Sequence, residues 1–264
     1  MHTVLQVSDP HFGTEQPHVV TALEALARSQ TPDIVLLSGD ITQRARRAQF
    51  VAARQFVDRL GHTHLLAIPG NHDIALFNVF SRALHPYRLF SKYFGNDLEP
   101  SFESETALIL CVNTTRRHRH KHGEVSAEQI DRVAQRLQRT SPNQVRLVVT
   151  HQPVHVIRSK DEVNRVRGYD AAVQAWSRAG ADIILGGHIH LPHVAPLKEI
   201  MKLPRQVWSV QAGTAVSHRV RGIVPNSVNI LRLAPRHCEM ERWDYQSGSN
   251  QFERIEAQTL GLER

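Results

Sequence analysis

Three times within the first 75 residues an apolar run breaks off at a polar turn, and this repeat limits the folds open to the chain. Residues 3–7 alternate and are rich in β-branched side chains, then give way to Ser8, Asp9, Pro10 and His11. Residues 34–37 form a short apolar run that ends at Ser38, Gly39 and Asp40. Residues 65–68 (LLAI) stop at Pro69 and Gly70, and Asn71, His72 and Asp73 follow at once. Between these runs Val19, Leu23 and Leu26, and later Phe50, Ala53, Val57 and Leu60, recur at helical spacing. Strand, turn and helix in that order make the βαβ unit of a largely parallel sheet. Gly70 is expected to turn the chain through angles closed to other residues, aiming Asn71 and His72 at one point.

Further along, the periods are mixed. Residues 76–104 combine Phe77, Phe80, Tyr87, Phe90, Tyr93 and Phe94 with Pro86, predicting helix plus irregular packing and one wall of a site. Residues 106–113 read as a strand, and 116–122 (RRHRHKH) as a basic loop. Ser126 with Gln129 three residues on is a capping box, followed by the helical stripe Ile130, Val133, Ala134 and Leu137. Residues 145–149 are a strand ending at Thr150 and His151, and 182–185 another ending at Gly186, Gly187, His188, Ile189 and His190. A short helix over 170–178 separates them. Residues 207–211, 228–233 and 238–243 read as strands with no helix between, predicting a second, more antiparallel sheet. Without linker or internal repeat, 1–264 is expected to be a single domain, with 205–257 completing that second sheet.

Composition narrows the class. With 41% hydrophobic and 22% charged residues the chain sits near the globular norm, which excludes disorder. A net charge of +7 favours acidic partners, such as phosphate-bearing ligands or nucleic acid. Two cysteines supply neither a disulfide framework nor a thiolate metal site. The N-terminal MHTVLQVSDPHF enters a strand directly and no run approaches membrane-spanning length, so no membrane partner is expected and the cytoplasm is the expected location.

Ligands of βαβ sheets bind beyond the carboxyl ends of the strands. Asp9 and His11, Asp40, Asn71 and His72, His151, and His188 with His190 all fall there. Oxygen and nitrogen donors of this kind suit Mn, Fe, Zn or Co. Seven metal-ligating side chains exceed what one catalytic metal uses, and match two metals sharing a carboxylate. Such a pair, roughly 3.5–4 Å apart, clamps a phosphate and activates a hydroxide for in-line attack. Asp9 and Asp40 are the carboxylates among the seven, so two divalent ions would leave the site positive and suited to an anionic substrate. His188 and His190, if locally extended, point to one face, whether to one metal or two.

Asp9-x-His11, Gly39-Asp40, Gly70-Asn71-His72-Asp73, His151 and Gly187-His188-x-His190 resemble, in order, the motif set of the calcineurin-like metallophosphoesterases. The resemblance spans 9–190 and implies an α/β fold, a four-layer αββα sandwich of two mixed β-sheets flanked by helices. It implies that Asp9, His11, Asp40 and His190 hold one metal, and that Asp40 bridges to a second completed by Asn71, His151 and His188. Mn or Fe is the expected ion, with Zn, Co and Ni as alternatives. Asn71 and His72 are implied substrate contacts. His72 would stabilise or protonate the leaving oxygen, and Asp73 would orient His72 by a hydrogen bond. The compact chain, the GNHD variant and the segment GEVSAEQI (123–130) look like the class III cyclic-nucleotide phosphodiesterases. The expected activity is hydrolysis of a small phosphodiester, a cyclic nucleotide first. Alternatives are a phosphomonoesterase or nucleotidase, a nuclease, and a non-catalytic phosphate-ligand binder. The oligomeric state is open, a homodimer included.

Seventeen histidines exceed any such site. His2, His18, His62, His64, His85, His218 and His237 are assigned to packing or solvent, and His155 and His193 to packing before a rim role. The RRHRHKH loop is read as a solvated charge run that also stands where a pocket rim would be. Gly213-Thr214 is either an approach to the site or a plain loop.

Overall fold

The computed structural model describes residues 1–75, 84–119 and 121–263. Strands β1 (His2–Val7), β2 (Ile34–Ser38) and β3 (His64–Ile68) pair in parallel, joined by helices α1 (Pro17–Gln30) and α2 (Arg47–Asp58). After α3 (Arg88–Phe94) come β4 (Ser101–Glu103) and β5 (Ala107–Cys111), then α4 (Ala127–Gln138), β6 (Val145–Val149), α5 (Tyr169–Ala179) and β7 (Ile183–Gly186). The chain continues through β8 (His193–Pro196), α6 (Leu197–Met201), β9 (Trp208–Gln211), β10 (Ser227–Ala234), β11 (His237–Gln246) and β12 (Gln251–Leu260). Among the described residues no helix is long and apolar enough to cross a membrane.

Two six-stranded mixed sheets result, ordered β12-β11-β10-β1-β2-β3 and β4-β5-β6-β7-β9-β8. Alternation along the strands builds the layers, because successive side chains leave opposite faces. Val4, Ile34, Leu36, Leu66 and Ile68 of one sheet meet Ile109, Leu147, Val149, Leu185 and Val210 of the other in a core between the sheets. Their neighbours Leu5, Val7, Val35 and Leu37 face outward onto α1 and α2, through Leu23, Phe50, Phe56 and Val57. On the far side Leu108, Leu110, Val148 and Ile184 pack beneath α4 and α5, through Val133, Leu137, Val173 and Trp176. Helix, sheet, sheet, helix is the four-layer order that the resemblance implied.

Local signals read from the sequence carry through. Ser126 Oγ accepts from Gln129 N at 3.2 Å and Gln129 Oε1 from Ser126 N at 2.9 Å, closing the capping box of α4. The C-terminal strands differ from expectation. Within 205–257 β9 joins the second sheet, whereas β10, β11 and β12 extend the first by pairing antiparallel onto the open edge of β1, His2 opposite Leu233 through Gln6 opposite Asn229. Their alternation fixes which face is buried, and is silent on which strand edge they join.

Of residues 76–104, Phe77 and Phe80 lie outside the described residues. Of the described remainder, the α3 region packs on α2, with Tyr93 stacked on Phe50 at 6.0 Å between ring centres, while β4 pairs with β5 in the second sheet; none of residues 84–104 lines the cavity described below.

Candidate metal centre

The carboxyl ends of β1, β2 and β3 meet those of β6 and β7 along one rim. Asp9 N donates to Gly39 O at 3.1 Å, His11 N to Asp40 O at 3.0 Å, and Gly187 N to His151 O at 2.9 Å, so adjacent loops are zipped together. Gly39 (φ +97°) lies so close to the His151 ring that a Cβ there would fall 2.3 Å from Nδ1. Gly70 is needed for a different reason from the one its sequence suggested. Its backbone is ordinary (φ −97°, ψ −179°), but a Cβ would lie 2.1 Å from Asp40 N. It permits a close approach, not an unusual turn.

Three groups of ligand atoms converge, each within 4.8 Å: Asp9, His11 and His190; Asp40, His151 and His188; and, between them, His11, Asp40 and His72. His190 Nε2 stands 3.1 Å from both Asp9 Oδ1 and His11 Nε2. Asp40 faces both outer groups, with Oδ2 at 3.8 Å from His11 Nε2 and Oδ1 at 3.3 Å from His151 Nε2. Asn71 Oδ1 lies 3.3 Å from His151 Nε2. All seven residues read as ligands from the sequence are therefore brought together. His188 and His190 are not extended as assumed. Both are left-handed (φ 69° and 54°), as are Asp9, His11 and Asp40 (φ 49°, 45° and 48°). Non-glycine residues adopt this region at a cost, and persist there where surrounding structure over-determines them.

The rings are held in the form that binds a cation. A carbonyl oxygen only accepts, so Nδ1–H donates in His151 (to Ser38 O, 2.9 Å) and in His190 (to Arg219 O, 2.6 Å), turning each Nε2 into the site, where it would ligate a metal once its proton is released. Asp9 Oδ2 accepts from Ser8 Oγ (2.6 Å) and His188 N (2.9 Å), which turns Oδ1 inward. Burial pushes His11 and His188 down to about 3, so both are neutral imidazoles. Burial opposes the charge of Asp9, and His190 with His151 more than offsets it, holding its carboxyl well below the usual range. Both ring nitrogens of His188 are buried without any hydrogen-bond partner among the described residues. Buried polar atoms are rarely left so, and a metal would satisfy one. The donor set fits borderline metal ions.

His72 lies beside the ligands, its ring edge-on to His11 at 4.9 Å, with a ring nitrogen near His11 and Asp40 ligand atoms. Asp73 does not orient that ring, contrary to expectation. Adjacent residues of the short 3-10 turn Asn71–Asp73 diverge, and Asp73 instead accepts from Gly70 N, Ile41 N, Thr42 N and Thr42 Oγ1 at 2.7–3.0 Å. It thereby ties the loop after Asp40 to the loop carrying His72. Burial, with Asp40 adding, raises Asp73 to about 6. The His72 ring is set by Gln43, whose backbone oxygen accepts from Nδ1 at 2.9 Å.

A cavity of about 660 Å³ opens over the cluster, lined by Asp40, Asn71, His72, His188 and His190. Its walls include Lys121 of the basic loop, the turn Ser159–Asn164, and Arg219 and Arg221 from the segment between β9 and β10. Arg116 and Arg119 of the basic loop are instead engaged with Gln129 and Glu124, and His120 lies outside the described residues. Thr214 Oγ1 donates to Arg219 O at 3.2 Å, the oxygen that also accepts from His190 Nδ1, while neither Gly213 nor Thr214 lines the cavity. Arg219 and Gln43 were missed. Both sit in loops, where no hydrophobic period marks a residue.

Sheets with these polar strand ends have the metallophosphoesterase fold. The chain belongs to the calcineurin-like phosphoesterases, whose family model matches residues 2–192. A probable cyclic nucleotide phosphodiesterase of Synechococcus sp. is 26% identical over 169 residues, which is 62% of this chain and 60% of that protein. Among solved structures, a dimetal phosphatase from Danio rerio is similar with a TM-score of 0.70 at 13% identity, covering 99% of both chains. A purple acid phosphatase from yellow lupin gives 0.73 at 12% identity, covering 98% of this chain and 53% of that one.

Proposed function

We propose that this protein hydrolyses a small phosphodiester, a cyclic nucleotide first, at a centre of two metal ions. The observation that carries the reading is the convergence of Asp9, His11, Asp40, His151, His188 and His190 from both sheets, with Asp40 turned toward both outer groups. Asp9, His11, Asp40 and His190 would hold one ion, and Asp40, Asn71, His151 and His188 the other. Mn or Fe suits these donors, with Zn, Co and Ni as alternatives. Bound there, the ions would supply Lewis acidity toward a phosphoryl oxygen and acidify a water into a nucleophile.

The chain's own residues do the rest. Two carboxylates among seven ligands leave a metal-loaded site positive, which draws in an anion. His72 presents Nε2 because Nδ1 is committed to Gln43 O, and that nitrogen, when protonated, donates to the leaving oxygen. Arg219 Nη1 already occupies the Nε2 lone pair at 3.3 Å, which favours His72 as a substrate contact over a ligand. Asn71 borders the same cavity and would touch the substrate from the ligand side. Asp73 holds the two loops in register. The cavity is of a size that takes a mononucleotide, and the Synechococcus relative's name supports that class.

The test is turnover by protein stripped of metal and reloaded with Mn²⁺. Substrates are an aryl phosphodiester, the matching monoester, 3′,5′-cyclic AMP and single-stranded DNA. Chelator-sensitive cleavage of the diester and the cyclic nucleotide is expected. Monoester preference would make it a phosphatase or nucleotidase, DNA cleavage a nuclease, and metal binding without turnover a non-catalytic ligand binder.

A further inference from the structure

Arg219 lies on the segment between β9 and β10 and lines the cavity beside Asp40, His188 and His190. Every hydrogen bond its guanidinium makes among the described residues leaves from Nη1: 2.8 Å to Gln43 Oε1, 3.3 Å to His72 Nε2 and 3.4 Å to His11 Nδ1. Nη1 carries two hydrogens, and the two shorter contacts take them. Gln43 is thus used twice, its side-chain oxygen accepting from Arg219 and its backbone oxygen from His72 Nδ1. The backbone oxygen of Arg219 meanwhile accepts from His190 Nδ1. Asp161, the nearby acid of the cavity wall, is taken by Arg221 at 2.5 Å. Arg219 has no carboxylate partner among the described residues, so a permanent, half-buried cation faces the cavity with Nη2 and Nε to spare.

We propose that Arg219 is a catalytic residue that binds a non-bridging phosphoryl oxygen of the substrate, and that Gln43 is the positioning residue that presents it. The role rests on the phosphoesterase reading above. A planar guanidinium matches two phosphoryl oxygens as an ammonium does not. Charge develops on those oxygens during displacement, so a fixed donor there favours the transition state over the bound substrate. As Arg219 turns to the phosphoryl group its Nη1 contact to His72 Nε2 is released, and that nitrogen takes a proton from solvent before donating it to the leaving oxygen. Arg219 transfers no proton and forms no bond to phosphorus.

The experiment compares wild type, Arg219→Met and Arg219→Lys, all loaded with Mn²⁺. Four quantities are read: bound metal, melting temperature, affinity for inorganic phosphate by calorimetry, and turnover of an aryl phosphodiester. The Met variant is expected to keep its metal and melting temperature, to bind phosphate about tenfold more weakly, and to lose about 100-fold in kcat. The Lys variant should regain part of the phosphate affinity and little of kcat, because the charge returns without the fork. Gln43→Ala should lower both quantities less, and added to Arg219→Met should change nothing further. Unchanged phosphate affinity and kcat in the Met variant would overturn the proposal. Loss of metal from both arginine variants would overturn it too, by making Arg219 a support for the ligands. If wild type binds phosphate but cleaves no ester, the phosphoesterase reading fails, and the phosphate affinity of the Met variant still decides whether Arg219 is an anion site.

Discussion

His151, at the end of a strand in one sheet, places Nε2 3.3 Å from Oδ1 of Asp40, at the end of a strand in the other. The apolar packing between the two sheets is non-directional. This contact and its polar neighbours at the same rim, His151 Nδ1 to Ser38 O and His188 N to Asp9 Oδ2, set the carboxyl ends in register, and the site is assembled around them.

In metal-free protein the pair is an ion pair. Burial opposes charge on His151, but Asp40 outweighs it and raises His151 to about 9 from an ordinary 6.5. A histidine raised on folding contributes stability that is complete below about 6.5 and is lost as pH rises through about 9. The melting-temperature advantage of stripped wild type over His151→Asn should therefore shrink between those pH values. Metal must displace the same proton, so loading should release protons and tighten with pH. A difference that stays flat across the window refutes the pairing.

Asp40→Ala removes the one carboxylate that faces both groups of ligands. Bound metal should fall for both ions together, as read by elemental analysis after gel filtration. Two ions per chain in the variant would leave Asp40 without a bridging role.

His72→Ala should keep its metal, since the proposed ligand sets do not include His72. Turnover should fall about 10²- to 10⁴-fold, the range lost with a general acid. Wild-type kcat in a metal-replete variant would remove His72 from the reaction.

Asp73→Ala strips the acceptor from three backbone N–H groups and one hydroxyl in a buried loop junction. Leaving those donors unpaired should cost about 3 kcal/mol or more, seen as a lower denaturant midpoint at unchanged m-value. Activity should fall with it through the position of His72. A variant with wild-type stability would show that the junction holds without this carboxylate.

Much of this was legible in the chain because strand ends announce themselves. An apolar run that stops at Ser8-Asp9 or Gly39-Asp40 tells both where a strand finishes and what it delivers, and Ser126 with Gln129 marks a helix start equally locally. What failed needed knowledge of distant neighbours. The pairing of β10 with β1 joins residues more than two hundred positions apart, and alternation carries no address. Gly70 reads as a turn glycine until Asp40 is seen packed against it. Asp73 follows His72 in sequence, yet their side chains serve different partners. Arg219 had no signal at all beyond its charge.

Five of the ten non-glycine residues with left-handed backbones among those described are Asp9, His11, Asp40, His188 and His190. Each carries a penalty of roughly 1–2 kcal/mol that a glycine would relieve. Selection of this protein for heat resistance alone would thus be drawn to these positions. It would return hardier variants that had discarded their ligands one at a time, so any screen for robustness needs metal retention as its second criterion.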